Sequence, residues 1–325
     1  MSEPTSLQEA IIYFSNPDNC IDYIAIRRWP DGMVACPICG SEKVSKFNPD
    51  RRTWKCGSHH PKREFSVKVG TIYEDSPISL DKWLTVTWML SNCKNGVSSY
   101  EIAKAVKVSQ KSAWFMLHRI RLAMQDEHFG SKLNGEVEAD ETFIGGKARN
   151  MHKSVHERRI TGCGQSFRDK TIVMGILERG GRVRTQVIPD RQKTTLHPIV
   201  KEHVETGAAL FTDEMGGYKG LNEEYQHEII DHAVKYVDGR VHTNGLENFW
   251  SLLKRGLAGT YVSVEPFHLF RYLDEQVFRF NNRGTKENKV TDADRFDMAV
   301  RKIVGKRLTF AALTGKLATA TPRPV

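Results

Sequence analysis

Apolar positions recur along this 325-residue chain with a changing period, and the changes divide it into segments. Over residues 5–28, Leu7, Ile11, Ile12, Phe14, Ile21, Ile24 and Ile26 follow an amphipathic helical pattern, with breaks at Pro17 and Pro30. Residues 31–75 carry short strand-like runs such as Glu64-Phe-Ser-Val-Lys-Val69. Residues 79–125 are helical by period and contain few Gly or Pro. Strand and helix patterns then alternate, and the last stretch is basic before thinning to Ala-Thr-Pro. The pattern predicts an N-terminal helical segment (1–30), a cysteine-bearing segment (31–75), a helical region (79–125), an α/β core (133–284) and a basic tail (285–325) whose end is expected to be disordered.

The order inside the core is the informative part. Glu136–Ile144 reads as a strand, and Lys170–Leu177 and Arg182–Ile188 read as a hairpin about Gly180-Gly181. A helical run, Leu196–Val204, ends near Gly207. Ala208–Asp213 reads as the next strand, Glu228–Ile230 as a short one, and Asn244–Arg255 as a helix. Three antiparallel strands, a crossover helix, a parallel strand and a closing helix make a ribonuclease-H-like order, in which the first and fourth strands lie side by side.

Three carboxylates occupy that order. Asp140 lies in the first strand, Asp213 ends the fourth, and Glu247 opens the helix. Two aspartates on neighbouring strands and a glutamate on a following helix can hold two Mg²⁺ (or Mn²⁺) ions for in-line phosphoryl transfer. Each has a plainer alternative. Glu138 shares a strand face with Asp140 and is the rival ligand, whereas Glu141 points away. Asn244-Gly-Leu-Glu247 also reads as a capping box. Lys254 lies seven residues after Glu247, on the same helix face, where it can reach a DNA phosphate. Trp250, on nearly that face, either stacks on a base or packs; His242 either orients a water or phosphate or is an ordinary loop histidine. Between 145 and 170, Lys147, Arg149, Arg158 and Arg159 belong to a basic loop suited to DNA-backbone contact.

Composition narrows the class. Charged residues are 27% and hydrophobic residues 39%, which fits a globular protein. No apolar run reaches membrane-spanning length, and Met1-Ser-Glu-Pro-Thr lacks a signal-peptide pattern, so a cytoplasmic setting is expected. The net charge of +9 favours a polyanionic partner. Six cysteines without an export signal point to reduced thiols and metal, not disulfides. Cys36-Pro-Ile-Cys39 and Cys56-Gly-Ser-His59 form C-x2-C-x16-C-x2-H, the spacing of a closed structural Zn²⁺ site; spacing favours His59 over the adjacent His60 as fourth ligand. Cys20 and Cys93 read as small core residues.

Residues 96–124 read as a helix-turn-helix, with Lys107-Val-Ser109 as the turn. Between 101 and 125 there are five Lys or Arg against one Glu. Gln110, Lys111 and Ser112 open the second helix and are expected to face a major groove, with Arg119 and Arg121 on the backbone.

The chain resembles the ISXO-like insertion-sequence DDE transposases, which carry an N-terminal zinc ribbon. The resemblance rests on Val137-Glu-Ala-Asp-Glu-Thr-Phe-Ile-Gly-Gly-Lys147, on Phe211-Thr-Asp-Glu214 with Gly217 and Tyr218, on Val241-His-Thr-Asn-Gly-Leu-Glu-Asn-Phe-Trp-Ser-Leu-Leu-Lys-Arg255, and on Tyr272-Leu-Asp-Glu-Gln-Val-Phe-Arg-Phe-Asn-Asn-Arg283. It implies a bacterial DNA transposase acting on terminal inverted repeats and target DNA, with Asp140, Asp213 and Glu247 as triad and Lys254 beside them. A dimer or larger assembly on nucleoid DNA is expected, because two ends must be handled together. His59 stands where the family usually has a fourth cysteine. The rival readings are a non-catalytic DNA-binding regulator, which needs a broken triad, and a structure-specific nuclease that cuts without joining.

Overall fold

The computed structural model describes residues 2–126, 130–145, 170–213, 216–230, 242–286 and 288–316. These residues form two compact units, one from 2–125 and 282–316, the other from 126–281.

The first unit opens with α1 (Leu7–Phe14) and α2 (Pro17–Arg28). Pro17 is both the break after α1 and a start signal for α2, because its missing N–H costs nothing in a first turn. The Asn16 side chain accepts the Asp18 N–H there. β1 (Trp54–Lys55) and β2 (Glu64–Phe65) pair antiparallel. Trp54 lies 4.7 Å from Phe47 and 5.4 Å from Trp29, so a few aromatic rings supply the small core of this segment.

Three helices follow, α3 (Leu80–Asn92), α4 (Ser99–Ala105) and α5 (Gln110–Met124). Ser98 and Glu101 form a capping box at α4, Lys107 turns the chain with a φ of 49°, and Ser109 caps α5 by accepting the Ser112 N–H. Ile102, Ala113 and Leu117 are buried. The arginines of α5 are not where the charge count put them. Arg119 and Arg121 are 5% and 1% exposed. Arg119 donates to the carbonyls of Leu308 (3.0 Å) and Glu74 (2.9 Å) and lies over the Phe115 ring. The expectation that this pair contacts DNA is therefore corrected. A guanidinium that finds carbonyl acceptors folds inward with its apolar stem, and counting charges along a helix does not detect that.

In the second unit β3 (Glu136–Ile144), β4 (Thr171–Glu178) and β5 (Val183–Ile188) form an antiparallel meander. α6 (Lys193–His203) then crosses to β6 (Ala209–Asp213), which runs parallel to β3, and β7 (Gln226–Ile230) runs parallel to β6. The order of the described strands is β5-β4-β3-β6-β7. Alternation sorts the side chains between two cores. Val137, Ala139, Ile176 and Leu210 pack with Leu196 and Val200 of α6 on one face. Val173 and Leu177 pack on the other with Leu246, Phe249, Trp250 and Leu253 of α7 (Asn244–Gly256) and with Leu273 and Phe280 of α8 (Leu269–Asn281). The unit is a mixed α/β sheet covered by helices.

The chain then returns to the first unit as α9 (Asp292–Arg301) and α10 (Phe310–Leu313). The expected basic tail is thus folded as far as residue 316, and its final residues lie outside the described set. Phe296 is fully buried, with its ring 5.4 Å from Tyr23 and 4.9 Å from Trp88. Phe296, Val300 and Ile303 keep a helical apolar stripe that the surrounding lysines and arginines mask in composition. Phe296→Ala is expected to cost about 3–5 kcal/mol in a chemical-denaturation experiment; a loss under about 1 kcal/mol would show that α9 does not belong to this core. No helix among the described residues is long and apolar enough to cross a membrane.

Candidate active site and zinc cluster

The cysteines of the first unit meet as their spacing requires. Cys36 and Cys39 lie in a turn closed by the Gly40 N–H on the Cys36 carbonyl (2.8 Å), and Cys56 bridges to Val44. The ligand atoms of Cys36, Cys39, Cys56 and His60 all lie within 4.8 Å of one another. Cys36 Sγ is 3.5 Å from His60 Nε2 and Cys39 Sγ 3.6 Å from Cys56 Sγ. A tetrahedral Zn²⁺ with its usual bond lengths needs edges of about 3.5–3.8 Å, so the donor set fits zinc. The histidine is a correction: His60 faces the cysteines and His59 is exposed. The C-x2-C rule assumes the short arm of a cysteine. An imidazole reaches further, and the chain runs one residue longer before turning its ring inward.

In the second unit the register brings the two aspartates together. Ala139 pairs with Thr212 in the parallel β3–β6 ladder, and Asp140 and Asp213 are the next residues of each strand. Burial pushes the Asp140 carboxyl up to about 6, the Asp213 charge adds to the rise, and Glu247 contributes a further push, against the Trp250 hydrogen bond. With Glu247 beside the two aspartates, three carboxylates would make a hard oxygen donor set, which suits Mg²⁺ or Mn²⁺. Glu247 and Lys254 are exposed on α7, two turns apart.

Glu138, the rival ligand, has another task. It is fully buried, its Oε1 accepts Arg179 Nε (2.9 Å), and its Oε2 accepts the Leu246 N–H (2.9 Å) in the first turn of α7. Arg179 also donates to Glu136 (2.8 Å) and to the His242 carbonyl (2.5 Å), and it lies over the Phe211 ring. His242 thus belongs to a lock that fastens the start of α7 to the sheet. A carboxylate from β3 serves as the cap of that helix, since the Thr243 cap residue makes no side-chain bond and Asn244 is already helical. The capping-box reading of Asn244 and Glu247 is corrected accordingly. Gly245 permits the approach, because a Cβ there would meet Leu177 at 2.4 Å and Glu138 at 2.8 Å.

One contact that the sequence does not announce joins Glu141 to Tyr218. Glu141 points to the opposite face and accepts the buried Tyr218 hydroxyl. Burial lifts its carboxyl to about 7, opposed by that hydrogen bond. Of the two roles open to Trp250, packing holds and the base contact is corrected: at 4% exposed it has no free face for a base, and its indole N–H donates to Asp140 Oδ2 (2.9 Å). Gln110 Nε2 donates to Ser99 Oγ (2.8 Å), Lys111 is exposed with its ammonium over Phe310, and Ser112 shares a bond with Ser109. Lys147, Arg149, Arg158 and Arg159 lie outside the described residues.

Comparison with known proteins places the chain in a family and agrees with the zinc cluster. An ISXO2-like transposase domain matches residues 132–281, and a transposase zinc-ribbon domain matches residues 15–58. An uncharacterized protein in transposable element ISH50 of Halobacterium salinarum is 26% identical over 254 residues, covering 75% of this chain and 84% of that one. An uncharacterized transposase-like protein of Haemophilus influenzae is 34% identical over 106 residues, 32% of this chain and 85% of that one. Among solved structures, a chain in the structure of the simian T-cell lymphotropic virus intasome in complex with PP2A regulatory subunit B56 gamma aligns over 66% of this chain and 72% of its own at 13% identity, with a TM-score of 0.31, too slight a likeness to identify a shared fold. The protein belongs to the ISXO2-like transposases with an N-terminal zinc ribbon.

Proposed function

We propose that this transposase binds the terminal inverted repeats of an insertion sequence and catalyses metal-dependent DNA cleavage and strand transfer. The observation that carries the reading is the position of Asp140 and Asp213, each the next residue after the paired Ala139 and Thr212, with Glu247 near enough to raise Asp140. The strand order supports a ribonuclease-H-like core over 133–284. The α4–α5 pair supports a helix-turn-helix within 79–125, beside a zinc ribbon over 31–75.

Asp140, Asp213 and Glu247 would hold the divalent ions. Two such ions, when bound, supply activation of the attacking oxygen and stabilisation of the leaving one. In cleavage, a water oxygen adds to phosphorus and the 3′ oxygen leaves with a proton. In joining, the freed 3′-hydroxyl adds to a target phosphodiester and displaces a target 3′ oxygen. The Glu138–Arg179 lock keeps Glu247 at a fixed height over the strand ends. Lys254 holds a DNA phosphate as a point charge. Lys111 and Ser112 face the element ends, while Gln110 joins them only by giving up Ser99, at a cost of about 1 kcal/mol. Lys147, Arg149, Arg158 and Arg159 add backbone contacts. The working form is a homodimer or larger assembly on DNA in the bacterial cytoplasm.

The test is purified protein with Mg²⁺, labelled element ends and a target plasmid. The expected products are nicked ends and joined strands. Nicking without joining would favour a nuclease, and binding without either a regulator; both would contradict the proposal. Lys254→Ala is expected to slow cleavage and make end binding less dependent on salt, by about one unit of log–log slope, with cation affinity unchanged. An unchanged slope and rate would make Lys254 an ordinary solvated lysine.

A further inference from the structure

α7 carries Glu247, and it also reaches across to the strand that carries Asp140. Trp250 is one turn after Glu247 and is 4% exposed. Its indole Nε1–H donates to Asp140 Oδ2 at 2.9 Å. The ring has a seat made for it. Asp140 pairs with Gly175 in the β3–β4 ladder, and a Cβ on Gly175 would stand 2.6 Å from Trp250 Cζ2 and 2.8 Å from Cη2. A glycine in the middle of a strand weakens it, so this position spends strand stability to admit the ring. The ring is further held edge-on by Phe249, 5.1 Å away.

From this geometry we infer that Trp250 is a positioning residue, holding Asp140 by one oxygen so that the other is presented to a divalent cation at a set distance from Glu247. An indole is suited to the task. It is a donor only, so it can bind a carboxylate but cannot compete for the cation. It is rigid, so one hydrogen bond fixes both the carboxyl rotation and the height of α7 over the sheet. Metal-binding carboxylates generally depend on such outer hydrogen bonds. This inference rests on the metal-dependent reading of the three carboxylates.

The experiment is Mn²⁺ titration of the zinc-loaded full-length protein, with free Mn²⁺ followed by electron paramagnetic resonance and folding by thermal melting without Mn²⁺. Trp250→Phe removes the N–H and keeps an aromatic ring over Gly175. It is expected to fold and to bind Mn²⁺ about 10–100-fold more weakly than wild type. Wild-type affinity in the folded variant overturns the inference alone. Absence of Mn²⁺ binding by the wild type, or undiminished binding by Asp140→Asn, overturns the metal-site reading and the inference with it. If Trp250→Phe does not fold, the wild-type indole N–H signals under Mg²⁺ titration decide instead. One of the signals from the six tryptophans is expected to move, and to stay still in Asp213→Asn. No movement at Mg²⁺ saturation overturns the proposal.

Discussion

Asp140→Asn, Asp213→Asn and Glu247→Gln should each lower cleavage of element ends by a thousandfold or more, equivalent to roughly 4 kcal/mol of transition-state stabilisation. DNA binding should persist. Asp140→Asn should have a second effect of opposite sign. In the cation-free protein the Asp140 carboxyl sits at about 6, raised by burial and then by Asp213, against an ordinary value of 3.8. A carboxyl raised in the fold contributes no penalty below its unfolded pKa. The penalty grows as pH rises through the interval from about 4 to about 6, and it is complete above. At pH 7 it amounts to something on the order of 3 kcal/mol. Asp140→Asn should therefore raise the melting temperature of the cation-free protein at pH 7 by several degrees, with the difference from wild type closing near pH 4. Mg²⁺ should stabilise the wild type and not the variant. A structural aspartate would behave the other way, losing stability on substitution. Retained cleavage by any one variant would remove that residue from the site.

The other large effect concerns zinc. Cys36→Ser should lose the ion and unfold the segment over 31–75, as elemental analysis and limited proteolysis would record. Around the cysteines the backing is a few aromatic rings, with β1 and β2 two residues each, whereas Val67, Ile72 and Tyr73 at the end of the segment are buried and should hold better. Structural zinc in small domains is worth about 10–16 kcal/mol of apparent binding energy, more than such a core supplies. His60→Ala should share the phenotype and His59→Ala should not. Full zinc occupancy in Cys36→Ser would refute the assignment, and equal loss in both histidine variants would leave His60 without its special place.

Much of the core was legible because its signals are local. Alternation along Glu136–Ile144, the Gly180-Gly181 turn and the apolar run of Ala208–Asp213 each fall within one element, and together they dictate which strands are neighbours. Asp140 and Asp213 follow from that order. The three zinc cysteines were legible for the same reason. What stayed hidden depends on contacts between elements. Nothing near Glu138 in the sequence announces Arg179 or the first turn of α7. Arg119 and Arg121 read as surface charges until their burial is known. Trp250 had two open roles, and only the place of its ring over Gly175 decides between them. Two glycines, Gly175 within a strand and Gly245 at a helix start, were the available signals for both hidden arrangements, since each marks a close approach that no side chain would tolerate.

The measurement closest to the central claim replaces a non-bridging oxygen of the scissile phosphate by sulfur and compares cleavage in Mg²⁺ and Mn²⁺. Mg²⁺ is a hard ion that prefers oxygen, whereas Mn²⁺ accepts sulfur more readily. If the cations held by Asp140, Asp213 and Glu247 contact that phosphate, one sulfur diastereomer should be cleaved poorly in Mg²⁺ and recover in Mn²⁺. Equal cleavage of both diastereomers in both metals, or cleavage that survives chelation of all divalent ions, would contradict the account.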